Sequence, residues 1–566
     1  MFSSTDKVKH NFTNSSFIAA SLVLLLILFI RVTRGLDLTD EMQYYGQIKG
    51  LIETGKLFSN DLFVQQTVYI LFYPVLSLYH SIFGFDCLVI FSRLLMSALT
   101  IGVFAYAFQK LVSLDFAKWV AAFTALSLTF AIPYHGIFAP SYNTISQVLW
   151  IIAALKFIDW RHTNSLSWGV IIVLMLFAHP TSAVTLALLI SVRCLVERQY
   201  LGLRKLMLSL VGLTLVALLV GVQFASVPEY LASLRFSSGY GVGAQFFSNF
   251  QQPVTLALIY IMFGCFILLN SWKHNFNIFI PVLLAISISI SIFLFGFGYV
   301  QWGYSPYVVI FLSLSTAIAY GWGLSNADIG DLSARNGVHW GAVFVLVYAT
   351  TLGVTSGNGI GQATGAFMVG LPLLLAVAVR GSTFHASISV ESTINIVSTI
   401  LVTIQFAVHW SRFAYREESW WKTSEIIQTV AEFRYIKTSP VHMEFIYRMQ
   451  NSLRMKAEGK RTLLVSEYPA LYFALEAKPE TCMLYMHSIS SDKSEAELLN
   501  CLNKKSPDVI IDISPDNNYS SELRVKKVMD SYRRGKSYNC ETDPVRIDTG
   551  NSSYPTPLKM LVCKKA

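Results

Sequence analysis

Apolar runs long enough to cross a bilayer recur from residue 17 to residue 411. A segment in lipid must satisfy its backbone polar groups internally, so such runs predict transmembrane α-helices. The runs lie at 17–30, 66–83, 88–108, 115–133, 143–159, 165–180, 182–198, 204–226, 253–270, 276–296, 306–325, 338–355, 361–379 and 393–411. The pattern therefore predicts a polytopic α-helical membrane protein.

The pattern changes near residue 414, where the chain becomes polar and shorter apolar stretches replace the long runs. Thr462–Ser466 (TLLVS) and Val509–Ile513 (VIIDI) are typical of buried strands, and helical periodicity marks 440–456 and 494–503. We expect a small α/β domain over 430–566, outside the membrane.

A third pattern, from Leu38 to Gly55, predicts a short amphipathic helix directly after the first apolar run. Thr39 or Asp40 can cap its start, and Thr54-Gly55 marks its end. Its apolar residues Ile48, Leu51 and Ile52 share one face, which favours a helix lying on the membrane surface.

Composition supports the membrane assignment. The chain has 566 residues, of which 54% are hydrophobic and 14% charged, whereas a soluble domain carries about 25% charged residues. The net charge of +9 is explained by basic loops beside anionic lipid, so no nucleic-acid partner is expected. No small-residue cleavage site follows the first run, which predicts a retained helix rather than a signal peptide.

The distribution of basic residues predicts the topology, because cytoplasmic loops are enriched in Lys and Arg. One set of alternating loops carries Lys110, Lys118, Lys156, Arg161, Arg193, Arg198, Arg204, Lys205, Lys273, Arg335 and Arg380. The opposite loops near 134–142, 297–305 and 354–360 carry none. With a cytoplasmic amino end, the rule holds only if Tyr69–Gly84, which contains Pro74, does not cross, and about thirteen spans then remain.

This topology divides the chain into four parts and gathers scarce polar groups at the outer face. The parts are 1–33, the cytoplasmic end with the first span; 34–86, an outer loop; 87–413, the helix bundle; and 414–566, the outer domain. The polar groups are Asp40, Glu41, Arg93, Tyr142, Asn143, His179 and Arg235. Such a convergence at one membrane face is typical of a functional site.

Each of these residues could instead have a purely structural role. Asp40, Asn143 and His179 could serve only as helix caps. Arg93 could extend toward lipid phosphates, and Arg34 could simply flank the first span.

Several chemistries lack sequence support. There is no GxxxxGK[ST] motif for nucleotide-driven transport, and no HExxH or CxxC pair for a metal, so no metal or cofactor is expected. Cys482, Cys501, Cys540 and Cys563 all fall in the carboxyl-terminal domain. They are compatible with disulfides or with free buried thiols, and their pairing cannot be deduced.

The order of these features resembles the membrane glycosyltransferases of the GT-C fold, in the protein O-mannosyltransferase and lipid A aminoarabinose transferase branch. The resemblance rests on the acid pair and the helix that follows it in DEMQYYGQIKGLIETGKLF, Asp40 to Phe58. The interfacial segment, Arg93, Tyr142-Asn143, His179-Pro180, Arg235-Phe236 and a closing α/β domain follow in the family's order. This chain departs from the family at Asn143, where the family has an acid, and at Gln65-Gln66, where a lysine is expected.

The resemblance implies transfer of a sugar from a polyprenyl-phosphate donor to an acceptor hydroxyl at the outer face. Asp40 is then the general base, with Glu41 beside it as a like charge that opposes double ionisation, or as a group that orients the acceptor. The donor phosphate would be bound by Arg34, Arg93, His179 and Arg235. The substrate would be held by Tyr44, Tyr45, Gln66, Tyr142 and Asn143.

Two other functions fit the same pattern. One is a transporter or flippase for a lipid-linked glycan, and the other is a polymerase or ligase that moves whole oligosaccharides. The expected partners are membrane lipid, the polyprenyl-phosphate sugar, and a glycan, lipid or protein acceptor. At the level of the family, the expected location is a bacterial inner membrane, with the carboxyl-terminal domain outside the cytoplasm.

Overall fold

A computed structural model describes most of the amino-terminal half of the chain and most of the carboxyl-terminal domain. The described residues are 4–133, 136–160, 164–238, 332–355, 365–366, 368–373, 376, 400, 403, 417, 419–457, 459–466, 468–474, 478–479, 481–484, 492–515, 522–547 and 558–566.

The described part is mostly helical. Its helices are α1 (Ser4–Thr33), α2 (Asp40–Thr54), α3 (Tyr73–Phe83), α4 (Leu88–Ser113), α5 (Lys118–Phe130), α6 (Tyr142–Ile158), α7 (Ser165–Ala178), α8 (Pro180–Val196), α9 (Tyr200–Phe224), α10 (Val227–Ser238), α11 (Leu332–Thr355), α12 (Pro440–Ala457), α13 (Ala470–Ala474), α14 (Asp492–Lys505) and α15 (Glu522–Gly535). Short 3₁₀ helices lie at Val64–Leu71, Trp420–Lys422 and Ala431–Phe433.

Within the described residues, three helical segments are long and apolar enough to cross a membrane: Ser16–Thr33, Leu88–Ser113 and Tyr200–Phe224. Shorter apolar helices form at five further predicted positions, as α5, α6, α7, α8 and the Val343–Thr355 part of α11. The runs predicted at 253–270, 276–296 and 306–325 lie outside the described residues, as does nearly all of 393–411. The number of spans therefore stays a prediction.

Contacts between helix ends bring several of the predicted basic positions together at one end of the bundle. Lys110 near the end of α4 forms an ion pair with Asp159, which follows α6. Arg193 near the end of α8 donates to the carbonyl of Phe157, and the two atoms are 2.7 Å apart. The starts of α4, α6 and α8 consequently lie at the other end, together with α2.

The segment predicted not to cross the membrane is broken in the structure. A 3₁₀ stretch, Val64–Leu71, ends at Phe72, and α3 follows with Pro74 in its first turn. At about 1.5 Å per residue, the 11 residues of α3 span about 16 Å, about half the thickness of a bilayer core. Leu78 and Ile82 are more than 60% exposed on its apolar face. These dimensions fit an interfacial helix.

The sequence pattern predicted that α2 lies on the membrane surface. In the structure its apolar face is covered by protein instead. Ile48 and Leu51 are fully buried or nearly so, and α2 packs against the 3₁₀ stretch Val64–Leu71, α3 and α13. The Lys49 ammonium pairs with Glu432 at 2.8 Å, and the side chain of Leu484 packs against Gly46. The apolar stripe thus faces protein rather than lipid.

The carboxyl-terminal domain contains the predicted α/β fold. Its main sheet has five strands in the order β4-β3-β5-β7-β6: β3 (Arg461–Val465), β4 (Lys478–Pro479), β5 (Val509–Pro515), β6 (Tyr538–Ile547) and β7 (Leu558–Lys565). Strands β3, β4 and β5 are parallel, whereas β7 is antiparallel to β5 and β6. A small hairpin pairs β1 (Glu425–Ile426) with β2 (Lys437–Thr438). The predicted strands and the helices near 440–456 and 494–503 are confirmed.

The four cysteines of the domain form two disulfides, one between Cys482 and Cys501 and the other between Cys540 and Cys563. The first joins the segment before α14 to α14 itself, and the second joins the neighbouring strands β6 and β7. The sequence had left disulfides and free thiols as equal alternatives.

Candidate functional site

The first turn of α2 is capped by a residue that the sequence analysis did not single out. The Asp37 carboxylate accepts the backbone N–H of Thr39 at 3.1 Å and that of Glu41 at 2.9 Å. It also accepts the Thr39 hydroxyl at 2.6 Å. Asp37 therefore satisfies donors that a helix start leaves open. Asp40 is the first residue of the helix and does not act as its cap.

Glu41 is held by Arg93 in a bidentate ion pair. Arg93 Nε lies 2.9 Å from Glu41 Oε1, and Nη2 lies 2.8 Å from Oε2. Both side chains are nearly inaccessible, at 4% and 3% exposure. The Tyr45 hydroxyl adds a 3.3 Å hydrogen bond to Oε1. The Glu41 charge is compensated and both oxygens are occupied within the protein, which favours a structural role; the catalytic role of Glu41 stays a prediction.

Arg93 has the remaining N–H groups committed as well. Nη2 donates to the Gly35 carbonyl at 2.7 Å, and Nη1 faces the carbonyls of Arg31, Val32 and Arg34 at 3.2–3.4 Å. These carbonyls belong to the end of α1 and the turn after it, where a helix leaves its acceptors open. A phosphate could bind Arg93 only by displacing these carbonyls, which favours helix capping as its role; the donor-phosphate role stays a prediction.

Asp40 is the one residue between Gly35 and Ile48 that is not buried. Its carboxylate makes no hydrogen bond or ion pair with the described part of the chain. The adjacent acids thus have opposite environments: Glu41 points into the bundle and is paired, whereas Asp40 remains accessible. Of the two, only Asp40 is placed to exchange a proton with a bound molecule.

Three predicted residues meet beside Asp40. The rings of Tyr44 and Tyr142 make an edge contact with centroids 6.2 Å apart, and Tyr142 stacks on His179 at 6.3 Å. The Tyr44 hydroxyl makes no hydrogen bond among the described residues, and its pKa is raised well above the usual value by burial, with Tyr142 and Asp40 adding to the effect. The start of α2, the start of α6 and the turn between α7 and α8 thus lie next to one another.

Asn143 does not cap α6. Ser141 is the cap, and its hydroxyl accepts the Thr144 N–H at 3.2 Å while the Thr144 hydroxyl accepts the Ser141 N–H at 3.0 Å. The Asn143 side chain is partly exposed and has no hydrogen-bond partner in the described part of the chain. It stays available for a ligand.

His179 caps α8, as the structural alternative predicted. Its Nδ1 accepts the Ser182 N–H at 3.3 Å, so the neutral ring carries its proton on Nε2. Nε2 lies 3.5 Å from the Thr355 hydroxyl. His179 can offer a neutral donor to a ligand at this position, but not a fixed positive charge.

The other expected phosphate ligands contact the carboxyl-terminal domain. Arg34 donates to the carbonyls of Trp420 and Thr423, both at 3.0 Å, and its guanidinium lies over the Trp420 ring. Arg235, at the end of α10, is 62% exposed and pairs with Glu497 at 3.4 Å. Of the two, Arg235 is the more accessible.

Two residues that were expected to bind substrate make hydrogen bonds within the protein. Gln66 accepts the Phe58 N–H at 2.9 Å and donates to the carbonyls of Asp61 and Phe63, at 2.7 and 3.0 Å. It therefore shapes the loop before the 3₁₀ stretch. Tyr45 is fully buried against the Glu41 pair. These contacts favour structural roles for both residues, and their roles in substrate binding stay predictions.

Asp61 is a functional candidate that sequence reasoning missed. It is 1% exposed, and its Oδ2 accepts the side-chain amides of Gln43 at 2.9 Å and Gln47 at 2.8 Å. Burial raises its pKa to about 6, although these hydrogen bonds act in the opposite direction. The only available signal was the i, i+4 spacing of the two glutamines on the helix that carries Asp40.

A second buried acid links this region to the domain. Glu417 Oε2 accepts the Leu36 N–H at 3.2 Å and the Thr438 hydroxyl at 2.5 Å, and lies 3.0 Å from His442 Nδ1. Glu417 and Asp37 raise the pKa of His442, and His442 lowers the pKa of Glu417. These contacts fasten the turn before α2 to α12.

Comparison of the chain with protein-family models, curated proteins and solved structures finds no match in any of the three. Any argument for its function therefore rests on its own residues and their geometry.

Proposed function

We propose that the protein is a membrane glycosyltransferase that uses a polyprenyl-phosphate sugar as donor, with Asp40 as general base. The observation that carries the proposal is the contrast between the two adjacent acids. Asp40 is accessible in an otherwise buried turn, and Glu41 is neutralised by Arg93.

The surroundings of Asp40 suit a polyhydroxylated substrate. Tyr44 has a hydroxyl without a partner among the described residues, Asn143 has a side-chain amide without one, and Tyr142 supplies a ring surface. Aromatic faces and uncommitted polar groups together are typical of small-molecule sites. The resemblance of the Asp40–Phe58 segment to the GT-C enzymes supports a sugar as the ligand.

In the proposed reaction, the acceptor hydroxyl attacks the anomeric carbon of the lipid-linked sugar. A carbon–oxygen bond forms to the acceptor, the bond to the phosphate oxygen breaks, and the polyprenyl phosphate leaves with the electron pair. Asp40 takes the hydroxyl proton, an effect of about 10²–10⁴-fold in rate. Arg235 is the remaining proposed cation for the departing phosphate, since Arg34 and Arg93 bind protein carbonyls.

Two features support an extracytoplasmic site. The disulfides lie in the domain that packs on α2, and disulfides persist in oxidising compartments. The basic residues Lys110 and Arg193 lie at the opposite end of the bundle, which favours that end as cytoplasmic.

The test is transfer by purified protein in detergent, supplied with short-chain polyprenyl-phosphate hexoses and pentoses and an envelope lipid extract as acceptor. Wild-type protein should form glycosylated product, and Asp40→Asn should lose at least 10²-fold in rate while keeping its melting temperature. Near-normal turnover by Asp40→Asn would remove Asp40 from the reaction.

The same assay separates the alternatives. A transporter or flippase forms no product in detergent, where no compartment exists. A polymerase or ligase forms products that grow by whole oligosaccharides rather than by one sugar, which mass spectrometry of the product resolves.

A further inference from the structure

We propose that Asp61 is a positioning residue of this site, and that its protonation state sets the orientation of the Gln47 amide and with it the arrangement of α2 around Asp40. The inference rests on the proposed function only in taking Asp40 as the acting group. Asp61 makes no hydrogen bond to Asp40 among the described residues, and its backbone carbonyl accepts the Gln66 side-chain amide at 2.7 Å.

The hydrogen bonds around Asp61 leave one group unsatisfied. Both Gln43 and Gln47 donate to the same oxygen, Oδ2, and the Phe63 N–H donates to Oδ1 at 3.2 Å. In this arrangement Gln47 Oε1 is buried without a partner. A buried acceptor left open is unfavourable, so a second arrangement that gives Oε1 a donor can compete with this one.

Protonation of Asp61 supplies that state. A proton on Oδ2 cannot face two N–H donors, but a Gln47 amide turned over would present Oε1 to the new O–H. When Asp61 is ionised, Gln47 donates an N–H to it. When Asp61 is protonated, the Gln47 oxygen accepts its O–H. Each protonation state selects one orientation of the amide.

The change is coupled to the site through a single helix. Gln43 and Gln47 lie on α2 beside Tyr44, in the turns that follow Asp40. Helix α2 has little room to move, because the Leu484 side chain lies close to Gly46 and the Asn60 side chain lies close to Gly50. Turning the amide over places the Nε2 N–H groups where Oε1 lay without a partner, so α2 or the 58–63 loop has to shift to bring them an acceptor.

The charges around Asp61 allow it to titrate near neutral pH. Tyr69 of the 3₁₀ stretch and Tyr472 of α13 face it as neutral phenols, and its charge raises the pKa of both. Lys505 of α14 donates to the Ser59 carbonyl at 2.5 Å, in the same loop. Burial is the main reason that the pKa of Asp61 rises to about 6.

The test measures hydrogen–deuterium exchange of a peptide covering residues 40–54, between pH 5 and 8, after correction for the intrinsic pH dependence of exchange. Wild-type protein should show a step in protection centred near pH 6. Asp61→Asn should remove it. Gln47→Met should move it to higher pH, because the carboxylate loses one N–H donor. Asp159→Asn, a buried acid at the other end of the bundle, should leave it in place.

In the transfer assay, the kcat of the wild type should change with pH around pH 6, whereas KM should change little. Asp61→Asn should lack this change in kcat. Misplacement of a reacting group typically costs about 10–10²-fold. A step that persists unchanged in both Asp61→Asn and Gln47→Met would overturn the inference. A step in exchange without any transfer activity would overturn the proposed function and leave the role of Asp61 intact.

Discussion

Arg93 and Glu41 form a buried ion pair, Nε to Oε1 at 2.9 Å and Nη2 to Oε2 at 2.8 Å, across the junction between α4 and α2. The pair also bonds the end of α1, through the Gly35 carbonyl. Three helices therefore meet at one guanidinium. This junction holds the turn from which Asp40 projects.

Breaking the Arg93–Glu41 pair should destabilise the protein. Loss of one partner from a buried pair typically costs about 3–5 kcal/mol, because the other charge is left uncompensated. Glu41→Gln should therefore lower the melting temperature in detergent, whereas Asp40→Asn should not. The double variant Glu41→Leu with Arg93→Met should recover part of the loss. Equal thermal stability of Glu41→Gln and wild type would contradict the role of the pair.

The two disulfides should differ in their effect on activity. Their ring sizes are similar, with sequence separations of 19 and 23, so each should stabilise the fold by about 3 kcal/mol on entropic grounds. Cys482 is hydrogen-bonded to the loop that carries Asp61, since its carbonyl accepts the Leu62 N–H at 2.8 Å. Removing Cys482–Cys501 should reduce transfer at temperatures where both variants stay folded. Removing Cys540–Cys563, the matched control, should not.

The contact between the carboxyl-terminal domain and the turn before α2 involves His442 and Glu417. It should become weaker at both high and low pH. The raised pKa of His442 means that its contribution is present in acid and is lost as pH rises through the folded-state pKa. The lowered pKa of Glu417 means that its contribution is lost as pH falls through the folded-state value.

Thermal stability of the wild type should therefore decline on the alkaline side as His442 loses its proton. His442→Gln should flatten that decline, and Arg448→Gln, which removes an exposed pair on the same helix, should not. An unchanged alkaline profile in His442→Gln would argue against the linkage.

A larger side chain at Gly50 requires the Asn60 side chain to move. A Cβ at this position would clash with the Asn60 side chain, in the loop that leads to Asp61. Overpacking of this kind costs about 1–3 kcal/mol, more than the gain of about 1 kcal/mol from replacing glycine in a helix. Gly50→Ala should therefore lower stability. Gly102→Ala should raise it, because no atom of the described part of the chain lies within 4 Å of the added Cβ.

Some features of this structure can be predicted from local sequence, whereas others depend on contacts between residues far apart in the chain. The strands near 462 and 509 and the end of α2 at Gly55, which has a φ of +66°, follow from local pattern and local backbone preference. The break within 66–83 follows from Pro74 and the parity of the basic loops. Such features can be read from the linear sequence without knowing which residues meet in the fold.

The roles of the polar residues depend on partners far along the chain. Arg93 and Glu41 lie 52 residues apart, and Leu36 and Glu417 lie 381 apart. Spacing alone could not say that Arg93 binds helix carbonyls instead of a phosphate, or that Asp61 lies beneath α2.

Membrane character, helix positions and the α/β ending are thus inherent in the linear pattern, because hydrophobic periodicity reports on the local backbone and its solvent. Which of two neighbouring acids is accessible depended on tertiary packing. A charge is either compensated or open to solvent according to groups that only folding brings within hydrogen-bonding distance.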